Sequence, residues 1–382
     1  MEARVIAFYL PQFHPVAIND KYWGKGFTEW TNVVKAKPLY HGHYQPQIPA
    51  DLGFYDLRLP EVRQAQADMA KEYGIEGFCY WHYWFGNGKT ILDMPFKKVL
   101  ESGQPDFPFC LGWANHSWSN RTWEKQKTLK KDVVFLEQKY LGEKDYTEYF
   151  YSVLPAFKDS RYITVDGKPL FLIYAPQDIP DVNEFIDIWQ RLASDNGLKG
   201  IHFVARVAAI GGFGKTFSKK KMLAQTEERY KHYLSLGFDA INSTNLSRAD
   251  LCTGSLLGKC LKLFLEKIGV SAIPDIHDYG KSIQYLYTEE DRWENVYPQL
   301  IPRWDKTPRM GRGAHIYKGS TPELFGKSID IALEHIKNKE DEHKILFAFA
   351  WNEWGEGAYL EPDLKFGKRY LEQIRNKILR NK

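Results

Sequence analysis

Eight short apolar runs, each followed by a stretch with helical spacing, constrain this 382-residue chain more than any other feature. They fall at residues 5–9, 75–81, 107–113, 169–174, 201–206, 238–242, within 296–304, and at 345–351. Each is a near-continuous apolar run, the pattern of strands covered on both faces. Helical spacing is predicted over 59–73, 95–101, 145–157, 181–195, 222–236, 278–293, 321–338 and 366–379, with Pro60 near the first start and Gly197 as a stop signal. The apolar stretch 251–270 is too sparsely basic for a membrane-surface anchor and reads as an amphipathic helix on the same body. Strict βα alternation predicts one α/β domain over residues 1–382, a parallel (β/α)8 TIM barrel with right-handed connections and long βα loops.

Composition narrows the partner. Lys plus Arg number 52 against 48 Asp plus Glu, a net charge of +4, which gives no electrostatic case for nucleic acid. Aromatic residues make up 15% of the chain, with 12 Trp and 23 Tyr, and suit a neutral ligand with apolar faces. Cys79, Cys110, Cys252 and Cys260 show no metal-ligand spacing and read as reduced residues. No stretch is long enough for a bilayer span, and the first residues enter a strand without a signal-like apolar region. A soluble, cytoplasmic protein with no integral membrane segment is expected.

In a parallel barrel the C-terminal strand ends converge on one pocket. Here they carry Tyr9, Gln12 and His14; Trp81, His82 and Tyr83; Trp113 and Asn115; Tyr174; Arg206; Asn242; Trp304 and Asp305; and Glu353 and Glu356. The last run leads into FAFAWNEWGEGAYLEPD, where Glu353 and Glu356 stand three residues apart among Trp351, Asn352 and Trp354. A solvated or helix-capping pair is the commoner fate of Glu-x-x-Glu. Two adjacent tryptophans favour a different reading: indole lowers the local dielectric, splitting the pair into an acid and a base, and offers a stacking face to a sugar ring. The long aromatic loop over residues 11–52 is of the length and kind that usually carries function.

Other chemistries find less support. His41-x-His43 lacks companions at metal-ligand spacing and reads as a surface loop. Gly211-Gly212-x-Gly214-Lys215 lacks phosphate-loop spacing. The chain contains no Asp-x-Asp, the pair that holds a metal-bound sugar nucleotide. No metal and no cofactor are expected, since a carboxylate pair needs neither for acid–base work.

IAFYLPQFHP, GFTEWTNV, GHYQPQIP, LGFYDLR, GFCYWHYWF, WDKTPR and WNEWGEGAYLEPD together resemble the WbsX-like family, proteins often named glycosyltransferases of polysaccharide gene clusters. The resemblance runs from Val5 to about Tyr370. That family in turn resembles glycoside hydrolase family 99, the endo-α-mannosidase-like (β/α)8 enzymes. The resemblance implies retaining hydrolysis through a 1,2-anhydro sugar, with Glu353 as base towards the 2-hydroxyl and Glu356 as general acid and then base. It also implies that Tyr9 and Trp81 line the subsite where the bond breaks. Gly355 stands where family 99 has a bulkier residue, so mannose specificity does not carry over. Three functions follow. The first is an endo-acting retaining glycoside hydrolase on a bacterial surface polysaccharide or its precursor. The second is a glycosyltransferase in O-antigen (lipopolysaccharide) or capsular polysaccharide synthesis. The third is a carbohydrate-binding protein whose acids only orient hydroxyls.

Overall fold

The computed structural model describes residues 1–119, 133–210, 218–254 and 274–379. Eight parallel strands close on themselves: β1 (Arg4–Tyr9), β2 (Gly77–Trp84), β3 (Phe109–Trp113), β4 (Lys168–Ile173), β5 (His202–Ala208), β6 (Ala240–Thr244), β7 (Val296–Leu300) and β8 (Ile345–Ala348). Register runs from Ile6 opposite Gly77 round to Arg4 opposite Ile345, so the ring has no free edge. The (β/α)8 barrel expected from the alternation is therefore present. Outer helices follow at Pro60–Glu72, Met94–Ser102, Glu143–Phe157, Val182–Asp195, Thr226–Ser235, Leu246–Thr253, Pro322–Ile336 and Arg369–Ile378.

Boundaries moved where tertiary contacts outweigh local pattern. β2 runs three residues past the predicted 81, which draws His82, Tyr83 and Trp84 into the strand and onto alternate faces. The predicted helix 222–236 is two, Lys219–Leu223 and Thr226–Ser235. The predicted helix 278–293 breaks into Tyr279–Ser282 and two 3₁₀ turns, because the buried Asp291 carboxylate takes the Thr288 backbone N–H at 2.7 Å and starts a new turn there. The long loop 11–52 contains two short helices, Ala17–Trp23 and Glu29–Lys35, the second opened by a Thr28–Thr31 capping box. The glycine-rich stretch from Gly211 and most of 251–270 lie outside the described residues.

Period-two alternation decides which strand residues face the barrel interior. Phe8 points inward and stacks between Trp81 (4.7 Å between centroids) and Phe347 (5.1 Å). Its neighbour Tyr9 points outward, and its hydroxyl donates to Gln66 on Pro60–Glu72 at 2.7 Å. The same rule turns His82 outward onto Tyr149 of Glu143–Phe157, with Nδ1 3.0 Å from the hydroxyl.

Candidate active site

A cleft of about 340 Å³ opens at the C-terminal ends of the strands. Trp81 and Tyr83 reach it from β2, Arg206 from β5, and Tyr174, Trp304 and Phe349 from the segments just beyond β4, β7 and β8. Gln12, His116, Trp118, Lys306, Arg309 and Met310 complete its walls with Glu353 and Glu356. Trp304 stacks on Phe349 at 4.8 Å, and the Arg206 guanidinium lies 4.6 Å above the Tyr174 ring. These are flat apolar faces edged with polar groups.

The acids sit where the chain leaves β8, in a short antiparallel pair (Asn352–Glu353 with Ala358–Tyr359) and the 3₁₀ turn Trp354–Glu356. Arg309, from the short helix Thr307–Met310, faces three carboxylates at once. Its Nε donates to Glu29 Oε1 at 2.9 Å, Nη1 to Glu356 Oε1 at 2.9 Å, and Nη2 stands 2.8 Å from Glu353 Oε1. Lys306 Nζ adds a second contact to Glu356 at 3.1 Å.

Three carboxylates and two cations balance when one carboxyl holds a proton. Burial, together with the charges of Glu356 and Glu29 and against the pull of Arg309, pushes Glu353 up to about 8. Burial also raises Glu29, against Arg309. Glu356 moves the other way: burial opposes its charge, but Lys306 and Arg309 outweigh it and hold the carboxyl below its ordinary value. At neutral pH the pair therefore splits into a protonated Glu353 and an ionised Glu356. Burial, Arg206 and Arg309 lower His116 to about 4, so it faces the cleft neutral.

Gly355 is required by this arrangement. A β-carbon there would lie 1.6 Å from Glu29 Oε1 and 2.7 Å from Arg309 Nε. The carboxylate of Glu29 fills the space that a side chain at 355 would take.

Of the residues singled out in the sequence, Gln12, Trp81, Tyr83, Tyr174, Arg206, Trp304, Glu353 and Glu356 meet in this cleft. The others stand around it. Tyr9 and His82 face the outer helices. Trp113 packs against Phe185 on the outer face, and its Nε1 donates to the Trp84 carbonyl. Asn115 and Asn352 each replace a strand partner. Asn115 exchanges hydrogen bonds with the Ala175 backbone, both at 2.8 Å, and Asn352 does so with Leu10 at 2.8 and 3.0 Å. His14 is buried under its own loop. Asp305 accepts from Gln45 Nε2 at 2.6 Å and contacts His43 Nε2 at 2.7 Å. His43, read as part of a surface loop, is buried.

Trp351 and Trp354 correct the sequence argument. Both are fully buried; Trp351 packs on Phe78, and Trp354 stacks on Tyr359 at 3.6 Å and donates to Glu361. They brace the turn from behind, and the cleft's aromatic faces come from other strand ends. The sequence places Arg309 at the end of the seventh apolar run and Glu29 in the long aromatic loop but gives neither a part in the site, and Lys306 is not singled out; Arg309 and Lys306 lie in WDKTPR and Glu29 in GFTEWTNV. Those shared motifs were the available signal.

Among the described residues no helix is long and apolar enough to cross a membrane. Solved structures with the same fold include the family 99 endo-alpha-mannosidase from Bacteroides thetaiotaomicron in complex with bis-tris-propane. It is 14% identical, with a TM-score of 0.56 over 99% of this chain and 96% of that one. A glycoside hydrolase-like protein, also 14% identical, has a TM-score of 0.58 over 98% and 93%. At that identity the likeness is one of fold. By sequence, an uncharacterized protein WxcX from Xanthomonas campestris pv. campestris is 33% identical over 100% of this chain. The chain spans about half the length of the curated relatives it matches. The model of the family described as Glycosyltransferase WbsX matches residues 5–374, and with that span the chain belongs to this family.

Proposed function

We propose that this barrel is an endo-acting retaining glycoside hydrolase on a bacterial surface polysaccharide or its precursor, with Glu353 and Glu356 as its catalytic pair. The observation that carries the reading is the split pair: one buried carboxyl pushed up to about 8 and one lowered, side by side in an aromatic cleft. Glycosidic-bond cleavage needs one proton donor and one base within reach of a single sugar. Trp81, Tyr83 and Trp304 offer stacking faces; Gln12, His116 and Arg206 offer groups for hydroxyls.

Burial and its acidic neighbours favour the proton on Glu353. The roles implied by the family 99 resemblance need the reverse, and a bound sugar supplies it. A 2-hydroxyl donating to Glu353 favours its ionised form, and a glycosidic oxygen accepting from Glu356 favours its acid form. Internal attack of the 2-oxygen on C1 then forms a 1,2-anhydro sugar as Glu356 protonates the leaving oxygen. Water, deprotonated by Glu356, reopens the ring with retention as Glu353 returns the proton.

The family's description favours a second reading, a glycosyltransferase, in which the same acids serve transfer from an activated donor. Incubation with purified bacterial surface polysaccharides, without any sugar nucleotide, separates the two. Shorter oligosaccharides are expected from the intact chain and not from Glu356→Gln. Transfer only after sugar nucleotides are added would overturn the hydrolase reading.

A further inference from the structure

A second cluster of ionisable side chains lies outside the cleft. It stands on a three-stranded sheet of Asp275–Asp278, His315–Lys318 and Trp304–Asp305, beside the helix Leu246–Thr253. His277 is buried, and His315 stacks on it with ring centroids 5.0 Å apart. The Thr253 hydroxyl donates its proton to the Ala249 carbonyl at 2.8 Å, so its 3.2 Å contact with His277 Nδ1 is one in which the ring donates. In the tautomer with its proton on Nδ1, the ring carries its lone pair on Nε2. That atom is buried without a hydrogen-bond partner, 3.6 Å from Asp250 Oδ1 and 3.2 Å from Asp275 Oδ1. His315 Nε2 is likewise buried and unbonded, 3.3 Å from the same Asp250 oxygen, while its Nδ1 faces Asp275 Oδ2 at 3.4 Å. Imidazole lone pairs and carboxylates converging on one point repel one another unless a cation lies among them.

We propose that Asp250, His277 and His315 bind a divalent transition-metal ion of the Zn²⁺ class, with Asp275 orienting His315 from its far side. The three donor atoms lie within 4.8 Å of one another. Tetrahedral bonds of about 2.1 Å place ligand atoms about 3.4 Å apart, and the two histidines stand 3.6 and 3.3 Å from Asp250 Oδ1. Metal-bound histidines usually give their other ring N–H to an oxygen acceptor: His277 Nδ1 has the Thr253 hydroxyl at 3.2 Å, and His315 Nδ1 faces Asp275 Oδ2 at an ion-pair distance of 3.4 Å. The Tyr317 hydroxyl donates to Asp250 Oδ1 at 2.5 Å and fixes the third ligand. Two histidines and one carboxylate leave a position for water.

The ion joins parts of the chain that are distant in sequence. Asp250 lies on the helix after β6, His277 on the strand Asp275–Asp278, and His315 on the strand paired with Trp304–Asp305. That last pairing carries the segment from which Lys306 and Arg309 enter the cleft. The metal acts as a clamp on one cleft wall, and needs no part in the chemistry there.

A proton is the competing occupant: burial opposes the charge of His315, but Asp250 and Asp275 outweigh it and push the ring up to about 9. The deciding experiment strips the full chain with a chelator, removes the chelator, and measures Zn²⁺ uptake by equilibrium dialysis at pH 7.5, a working value near neutrality. One equivalent is expected per chain, with at least tenfold weaker binding in His315→Gln and in Asp250→Asn. Co²⁺ in place of Zn²⁺ is expected to show a visible absorption band that both substitutions remove. Substoichiometric uptake by the folded chain would mean that a proton alone fills the cluster, and full uptake by both variants would put the ion elsewhere; either result overturns the assignment. His315 is the safer variant, since its side chain is 23% exposed and circular dichroism can check that it folds.

Discussion

At the scale of single residues, the central question is the charge on Glu353. Its Oε1 stands 2.8 Å from Arg309 Nη2, a salt-bridge distance, yet this Glu353 oxygen accepts no hydrogen bond of good geometry, and burial with two neighbouring acids favours the neutral form. We favour the neutral form because Arg309 already serves Glu29 and Glu356. The sign of the consequence can be worked out. A carboxyl whose pKa rises from 4.5 unfolded to about 8 folded binds its proton more tightly in the native state. Its stabilising contribution is complete below the unfolded value and is lost as pH climbs through the folded one. Glu353→Gln is neutral at every pH. The variant is therefore expected to gain stability over the parent as pH rises between those two values, by on the order of 5 kcal/mol. Urea unfolding at several pH values checks it. A difference that stays flat across the window would mean that Glu353 is ionised throughout.

At the scale of elements, the strands were legible because each is a short apolar run, and the outer helices because their spacing repeats. The site was legible only in part. The paired glutamates announced themselves by their position after the eighth run. Which way Trp351 and Trp354 face was not legible, because residue type does not reveal which side of a turn meets the cleft. Arg309 lies 47 residues before Glu356 and 280 after Glu29, and only barrel closure brings it to both. His277 and His315 carry no motif spacing for the same reason. The turn after β8 also rests on a support that sequence did not reveal. Glu361 is buried beneath it, accepting from Gln66 at 2.7 Å, Tyr55 at 2.9 Å and Trp354 at 2.6 Å. An amide there turns one acceptor into a donor and strands at least one of these groups. Glu361→Gln is expected to cost about 1–3 kcal/mol and to lower the unfolding midpoint. An unchanged midpoint would show that the amide finds partners of its own.

At the scale of the whole molecule, the first and last strands are neighbours. β8 pairs with β1 on one side and β7 on the other, so residues 4–9 and 345–348 complete a single ring. Closure makes the contacts of the last strand the ones that remove both free edges, and they are separated by almost the full chain length. The interior follows the same logic: Phe8 of β1 stacks on Phe347 of β8 and on Trp81 of β2, so no half of the barrel owns a separate core. Partial barrels would expose two unpaired strands and the apolar side chains between them. Ending the chain at residue 340, before β8, is therefore expected to abolish cooperative unfolding, and not merely to lower its midpoint by a few degrees. The shortened chain should aggregate through its exposed edges, while residues 1–379 unfold in one transition seen alike by tryptophan fluorescence and far-ultraviolet circular dichroism. A shortened chain that still melted cooperatively would refute the single shared core and divide the barrel into independently stable halves.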